Sequence, residues 1–140
     1  MFINIYAPNL GSDRLQFFSK LEKVLSQQQD GDLIILGGDW NCTLDFTKDR
    51  NGEEPHAQSA AVLANVINFF NLSDVWREHN LAAQQYTWVH FSNGRISGAR
   101  LDRFYTSHNM RNRVKHTAIT PTSFSDHKLI TIECSLVNRA

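Results

Sequence analysis

Four short segments set polar, acidic or imidazole groups directly after apolar runs: Tyr6 with Asn9, Asp39 with Asn41, Asp102, and Ser125-Asp126-His127. In α/β sheets, side chains at strand ends converge on the crevice where ligands bind. The four segments can therefore meet in one site. Each has an ordinary structural use as well. Asp39 follows Gly37-Gly38 and suits a turn or cap, and Asp102 between Arg100 and Arg103 suits an ion pair. His127 can cap an element, and Tyr6 can pack at the core edge with its hydroxyl hydrogen-bonded.

The charge distribution favours a site. Overall the chain is balanced, with 14 basic and 14 acidic residues. Between Asp30 and Glu54, however, seven acids face only Lys48 and Arg50, and between Arg95 and His116 six bases face only Asp102. An acidic segment beside a basic one suits a metal site flanked by a phosphate-binding surface; two solvated faces explain it equally well.

The elements that must position these residues alternate between strand and helix patterns. Phe2 to Tyr6 is a β-branched and aromatic run stopped by Ala7-Pro8-Asn9, which predicts a strand. Ser12 or Asp13 is expected to cap a helix through about Gln28, with Leu15, Phe18, Leu21 and Leu25 on one face. Leu33 to Leu36 predicts a buried strand broken by Gly37-Gly38, followed by a long polar loop from Asp39 to about His56. Gln58 to Phe70 places Leu63, Val66, Ile67 and Phe70 at helical spacing. Tyr86 to His90 and Arg100 to Thr106 predict two strands joined by Phe91 to Ala99 as a long hairpin connection. Val114 to Thr120 and Leu129 to Leu136 predict two closing strands.

The 140 residues are 41% hydrophobic and 20% charged, which is the composition of one globular domain. No apolar run approaches membrane-spanning length, and the N-terminus lacks the pattern of a signal peptide, so a soluble, unsecreted protein is expected. Cys42 and Cys134 lack metal-type spacing and read as free thiols. Nothing in the sequence sets an oligomeric state.

The ordered series NIYAPN, GGDWN, YTWVH, RLDRFYTS and SDHKLI resembles the endonuclease/exonuclease/phosphatase superfamily across nearly the whole chain. The long DWNCTLDFTKDRNGEEPH loop is most similar to the endonuclease domains of LINE-1-type retrotransposons. The resemblance implies an α/β fold: a DNase I-like β-sandwich flanked by helices. It also implies Mg²⁺-dependent phosphodiester hydrolysis, with Mn²⁺ as a substitute, acting on DNA in the nucleus beside a reverse transcriptase domain of the same polyprotein and away from membranes.

Under that resemblance Asp39 orients or deprotonates the attacking water, and Asn41 donates to the phosphate and positions Asp39. Asp126 is a metal-site carboxylate, and Asp39 is a second candidate ligand. His127 contacts the scissile phosphate, as general base or as transition-state stabiliser, and is held by Asp102. A neighbouring carboxylate favours the protonated imidazole and so the second role. Tyr6 hydrogen-bonds a phosphate oxygen, while Thr87, Ser125 and Asn9 fall near the substrate. In LINE-type enzymes the hairpin corresponding to Phe91 to Ala99 enters the DNA groove beside the nick. Here it carries Arg95, a reader of narrow A·T-rich minor grooves, or otherwise a solvated loop residue.

The family's N-terminal half, with an asparagine and the glutamate that is the principal metal ligand, has no counterpart among these residues. Residues 1–140 are therefore expected to be a single C-terminal fragment that binds Mg²⁺ weakly and has little activity alone. Within the superfamily, a phosphatase or an abasic-site endonuclease is an alternative. A non-catalytic remnant that binds nucleic acid through bases such as Arg100 and Arg113 is another.

Overall fold

The computed structural model describes residues 1–136. Strand β1 (Phe2–Tyr6) is joined by helix α1 (Gly11–Ser26) to β2 (Ile35–Asp39), and the loop after Asp39 leads to α2 (Ala57–Phe69). There follow β3 (Ser73–Asp74), the short helix α3 (Val75–His79), β4 (Trp88–Ser92), β5 (Arg95–Ala99) and β6 (Asp102–Thr106). A 3₁₀ turn (His108–Arg113) leads into β7 (Val114–Thr120) and β8 (Leu129–Cys134).

The main sheet has the order β1-β2-β6-β3, with β1 parallel to β2 and β6 antiparallel to both β2 and β3. Alternation along the strands sends Ile5, Leu36 and Tyr105 to one face, where they meet Phe18, Leu21 and Leu25 of α1 and Leu63, Val66 and Ile67 of α2. Burying each such large apolar side chain contributes roughly 1.5–3 kcal/mol, so this helix-covered layer carries most of the fold's hydrophobic stabilisation. The opposite face presents Tyr6, Asp39 and Asp102. Over part of it lies the separate β7–β8 sheet, and Trp76, Phe104, Ile119 and Ile130 line the seam between the two layers.

Several elements differ from the sequence expectation. Helix α1 starts at Gly11 with Leu10 as its cap residue and no side-chain capping bond, so Ser12 and Asp13 lie inside its first turn. Gly37-Gly38 does not break β2. Gly38 sits at φ 143°, where a Cβ would come within 1.9 Å of the Ile5 carbonyl oxygen, so glycine lets β1 and β2 approach and carries the strand through to Asp39.

The expected long connection is itself half strand. β4 pairs with β5 around Asn93-Gly94, both at positive φ, which is a tight type I′ hairpin. Strand β6 therefore pairs with β2 and β3 and not with β4. The 3₁₀ turn, α3 and β3 carry too few periodic residues to be read from sequence. The last strand ends at Cys134, short of Leu136. Cys42 and Cys134 are free thiols, as expected.

The acidic and basic segments do not face each other as surfaces. Arg100, fully buried, forms ion pairs with Asp49 (2.8 Å) and with Asp74, while Arg77 also pairs with Asp49. The Arg100 amide donates to the Asp49 carbonyl at 2.8 Å. These charges are spent holding the 39–56 loop against the start of β6 and α3, so Arg100 is not available to a nucleic acid. Losing one partner of such a buried pair typically costs about 3–5 kcal/mol.

Gly38→Ala should destabilise the fold by several kcal/mol, well beyond the roughly 1 kcal/mol expected for Gly31→Ala, where φ is positive but space is open. Urea unfolding of the two variants measures the difference; equal losses would mean that the β1–β2 approach is not what requires glycine.

Candidate active site

Strand register builds the site. Tyr6 lies beside Asp39 in the β1–β2 ladder, and Asp39 lies beside Asp102 in the β2–β6 ladder, so the three form one row across the sheet. Their side chains stand on the face opposite the helices. Like charges directly opposite each other are destabilising, and this row keeps Asp39 and Asp102 as neighbours.

His127 closes the row. Its Nδ1 lies 2.7 Å from Asp102 Oδ2, and its Nε2 lies 3.9 Å from Asp39 Oδ2. Burial opposes charge on the imidazole, but the hydrogen bond and charge of Asp102, with Asp39 and Asp126 behind them, outweigh it and raise its pKa. For Asp39, burial raises the pKa and the Asp102 charge adds to that, against the Asn41 amide and the positive charges of His127 and Arg103.

The neighbouring loops fix these orientations. Asn41, at φ 51°, donates its amide to Asp39 Oδ1 (2.8 Å) and its side-chain Nδ2 to the Ala7 carbonyl (2.6 Å). It thus ties β1 to the turn after Asp39. Ser125 Oγ accepts the His127 amide at 3.0 Å, and Trp88 bridges to His127 as an isolated β-pair.

Thr87 has a different task from the one expected. It is fully buried, so it does not face a substrate. Its Oγ1 accepts the amides of Leu101 (2.9 Å) and Asp102 (3.1 Å), and its carbonyl accepts the Lys128 amide (2.7 Å). It joins the segment carrying Asp102 to the segment carrying His127.

The structure thus brings together Tyr6, Asp39, Asn41, Asp102, Ser125 and His127. Tyr6 is 74% exposed at the open end of the row. Asp126 is exposed and outside the group of Asp39, Asp102 and His127, whose ligand atoms lie within 4.8 Å of one another. Asn9 is exposed, with its carbonyl engaged by Arg14 (2.7 Å). Arg95 is exposed beside the hairpin turn, away from the row. Sequence reasoning missed Trp40, whose amide donates to the Leu101 carbonyl (2.9 Å), and Arg103. The period of two along β6 was the available signal for Arg103, because it opposes Asp102 and shares the face of buried Tyr105.

Two carboxylates and an imidazole within this distance can hold a divalent cation, and a cation would relieve the repulsion between Asp39 and Asp102. The same groups can position water and stabilise an oxyanion.

Residues 1–131 match the family model described as endonuclease-reverse transcriptase. The chain belongs to that family. It is 36% identical over 134 residues to the Transposon TX1 uncharacterized 149 kDa protein of Xenopus laevis, a match covering 96% of this chain and 10% of the relative. An AP endonuclease from Archaeoglobus fulgidus superposes with a TM-score of 0.82 at 17% identity, covering 96% of this chain and 61% of that one. The endonuclease domain of TRAS1, a telomere-specific non-LTR retrotransposon, superposes with a TM-score of 0.67 at 14% identity, covering 88% and 52%. This endonuclease-reverse transcriptase family chain therefore has the DNase I-like α/β fold and is related to retrotransposon endonucleases. It spans about a tenth of the transposon relative and about three fifths of the archaeal enzyme. Among the described residues no helix is long and apolar enough to cross a membrane.

Thr87→Val removes the acceptor of two buried amides and should destabilise the chain by about 1–3 kcal/mol, whereas Thr87→Ser should restore most of the loss. Urea unfolding checks both. Because the folded pKa of His127 lies above its ordinary 6.5, its contribution to stability is complete below that pH and is lost as pH rises through the folded midpoint. An NMR titration should place the His127 midpoint above 6.5, and Asp102→Asn should move it down; no movement would remove Asp102 as the cause.

Proposed function

We propose that this site hydrolyses phosphodiester bonds in DNA with a divalent cation, Mg²⁺ or Mn²⁺, as a nicking endonuclease of retroelement type. The observation that supports this best is the row Tyr6, Asp39, Asp102 closed by His127 at 2.7 Å from Asp102. Asp39 and Asp102 would hold the cation, with Asp126 exposed outside their group, and the cation would neutralise charge developing on the phosphoryl oxygens and on the leaving oxygen. Asp39 orients the attacking water and accepts its proton. The protonated His127, kept charged by Asp102, donates from Nε2 to a non-bridging phosphate oxygen and stabilises the pentacoordinate transition state. The Tyr6 hydroxyl and the second hydrogen of the Asn41 side-chain Nδ2 donate to the same phosphate, and Ser125 holds the His127 loop in place. Arg95 on the β4–β5 hairpin would contact the duplex flanking the cut, and Asn9, exposed three residues after Tyr6, would fall near the substrate. A reverse transcriptase domain on the same polypeptide and action in the nucleus follow from the same reading.

The test is nicking of supercoiled plasmid with the chain in stoichiometric excess, so that slow turnover registers. Conversion to open circles should require Mg²⁺ or Mn²⁺ and should fall by about 10²–10⁴-fold in Asp39→Asn and His127→Gln. Hydrolysis of p-nitrophenyl phosphate without nicking would replace this reading with a phosphatase. Salt-dependent DNA binding indifferent to Asp39 substitution, with no cleavage, would make the chain a non-catalytic nucleic-acid module.

A further inference from the structure

Arg103 lies on the far side of β6 from the site and is fully enclosed in the helix-covered layer. Its Nη1 donates to the carbonyls of Cys42 (2.6 Å) and Arg100 (2.8 Å), and its Nε donates to the Tyr105 hydroxyl (2.8 Å). Burial pushes the Tyr105 phenol up to about 12, so this partner is neutral at physiological pH. Among the described residues no carboxylate pairs with Arg103, in contrast to Arg100 and Arg77, and Nη2 is buried without any partner.

A buried guanidinium with no carboxylate in contact and one unsatisfied donor is costly to bury, and leucine or methionine would suit this layer better. What the guanidinium does is mechanical. Cys42 is three residues beyond Asp39, and Arg100 is two residues before Asp102 on the antiparallel partner, so one rigid fork ties the two main chains together just beyond the acidic pair. The Trp40 indole reinforces the link by donating to the Arg103 carbonyl at 3.1 Å. Thr87 grips the Asp102 segment separately, through its amides.

We propose that Arg103 is a positioning residue: its guanidinium sets the separation of Asp39 and Asp102, and hence where His127 stands, without touching substrate. This rests on the reading of the row as a hydrolytic site. It predicts that Arg103 is retained for geometry at the expense of stability, and that lysine, which keeps the charge but lacks the fork, does not replace it.

The experiment compares wild type, Arg103→Lys and Tyr105→Phe, the last removing only the acceptor of Nε. Folding is followed by thermal unfolding, and plasmid nicking with the chain in excess is resolved into the rate at saturating chain (kcat) and the half-saturating chain concentration (KM). A folded Arg103→Lys should show kcat reduced by about tenfold or more with KM nearly unchanged, since a misplacement near 1 Å can cost about 10²-fold; Tyr105→Phe should show a smaller loss in kcat. A variant that melts earlier but keeps wild-type kcat would overturn the proposal and leave Arg103 a purely structural residue. A second readout is independent of activity: the deshielded proton resonance of the His127–Asp102 hydrogen bond. It should move in Arg103→Lys and stay in place in a surface control, Lys20→Arg. If wild type cuts no phosphoester, the hydrolytic reading fails, and an unmoved resonance in folded Arg103→Lys would then overturn the positioning role as well.

Discussion

The site depends on holding two carboxylates side by side on one rung of a sheet. Asp39 and Asp102 are register partners in β2 and β6, and nothing about an isolated pair of antiparallel strands would favour that placement. The repulsion is offset by groups that arrive from elsewhere in the chain. His127 lies between the two acids, the Asn41 amide takes one oxygen of Asp39, and Arg103 contributes positive potential from behind the sheet. A divalent cation would add to the same compensation. The site is therefore a local conflict held in place by its surroundings, which is the usual physical mark of a functional region.

The surroundings are organised as two layers of restraint. On the helix side, the apolar packing of α1 and α2 against Ile5, Leu36 and Tyr105 keeps β1, β2 and β6 in register, so the row is as rigid as the core. Below the strand ends, the buried ion pairs of Arg100 with Asp49 and Asp74 fasten the long loop to α3 and β6. The face that carries the row is more open, with Tyr6, Phe2 and Leu129 exposed there and on its neighbouring strands. Rigid backing and an open front leave a ligand room to approach groups whose positions are already set.

Much of the site was legible from residue order because strand ends in an α/β fold converge, and the segments around Tyr6, Asp39-Trp40-Asn41, Asp102 and Ser125-Asp126-His127 each end or follow an apolar run. The strands β1 and β7 and helix α2 were legible for a related reason: their periodicities are local properties of the chain. Where local pattern misled, a long-range contact was responsible. Gly37-Gly38 reads as a strand breaker until β1 is seen passing against Gly38, and Phe91 to Ala99 reads as the long hairpin connection between two strands until its second half is seen to be β5, paired with β4. Within the basic stretch, Arg100 and Arg103 read as surface residues until they are seen to be buried.

The sequence by itself determined the chemistry available: two aspartates, a histidine, an amide and a phenol at strand ends, in an order that resembles the endonuclease/exonuclease/phosphatase superfamily. Only the tertiary structure decided how those groups are used. It made Thr87 a bracket for Asp102 and His127 in place of a substrate contact, joined Asp49 of the acidic segment to Arg100 of the basic one in a buried ion pair, and set a lone guanidinium behind the acidic row. The reason is that a residue's type and its neighbours in sequence set what it can donate, accept or bury, whereas partners 50 or 60 positions away, such as Asp49 for Arg100 and Cys42 for Arg103, are chosen by strand pairing and packing.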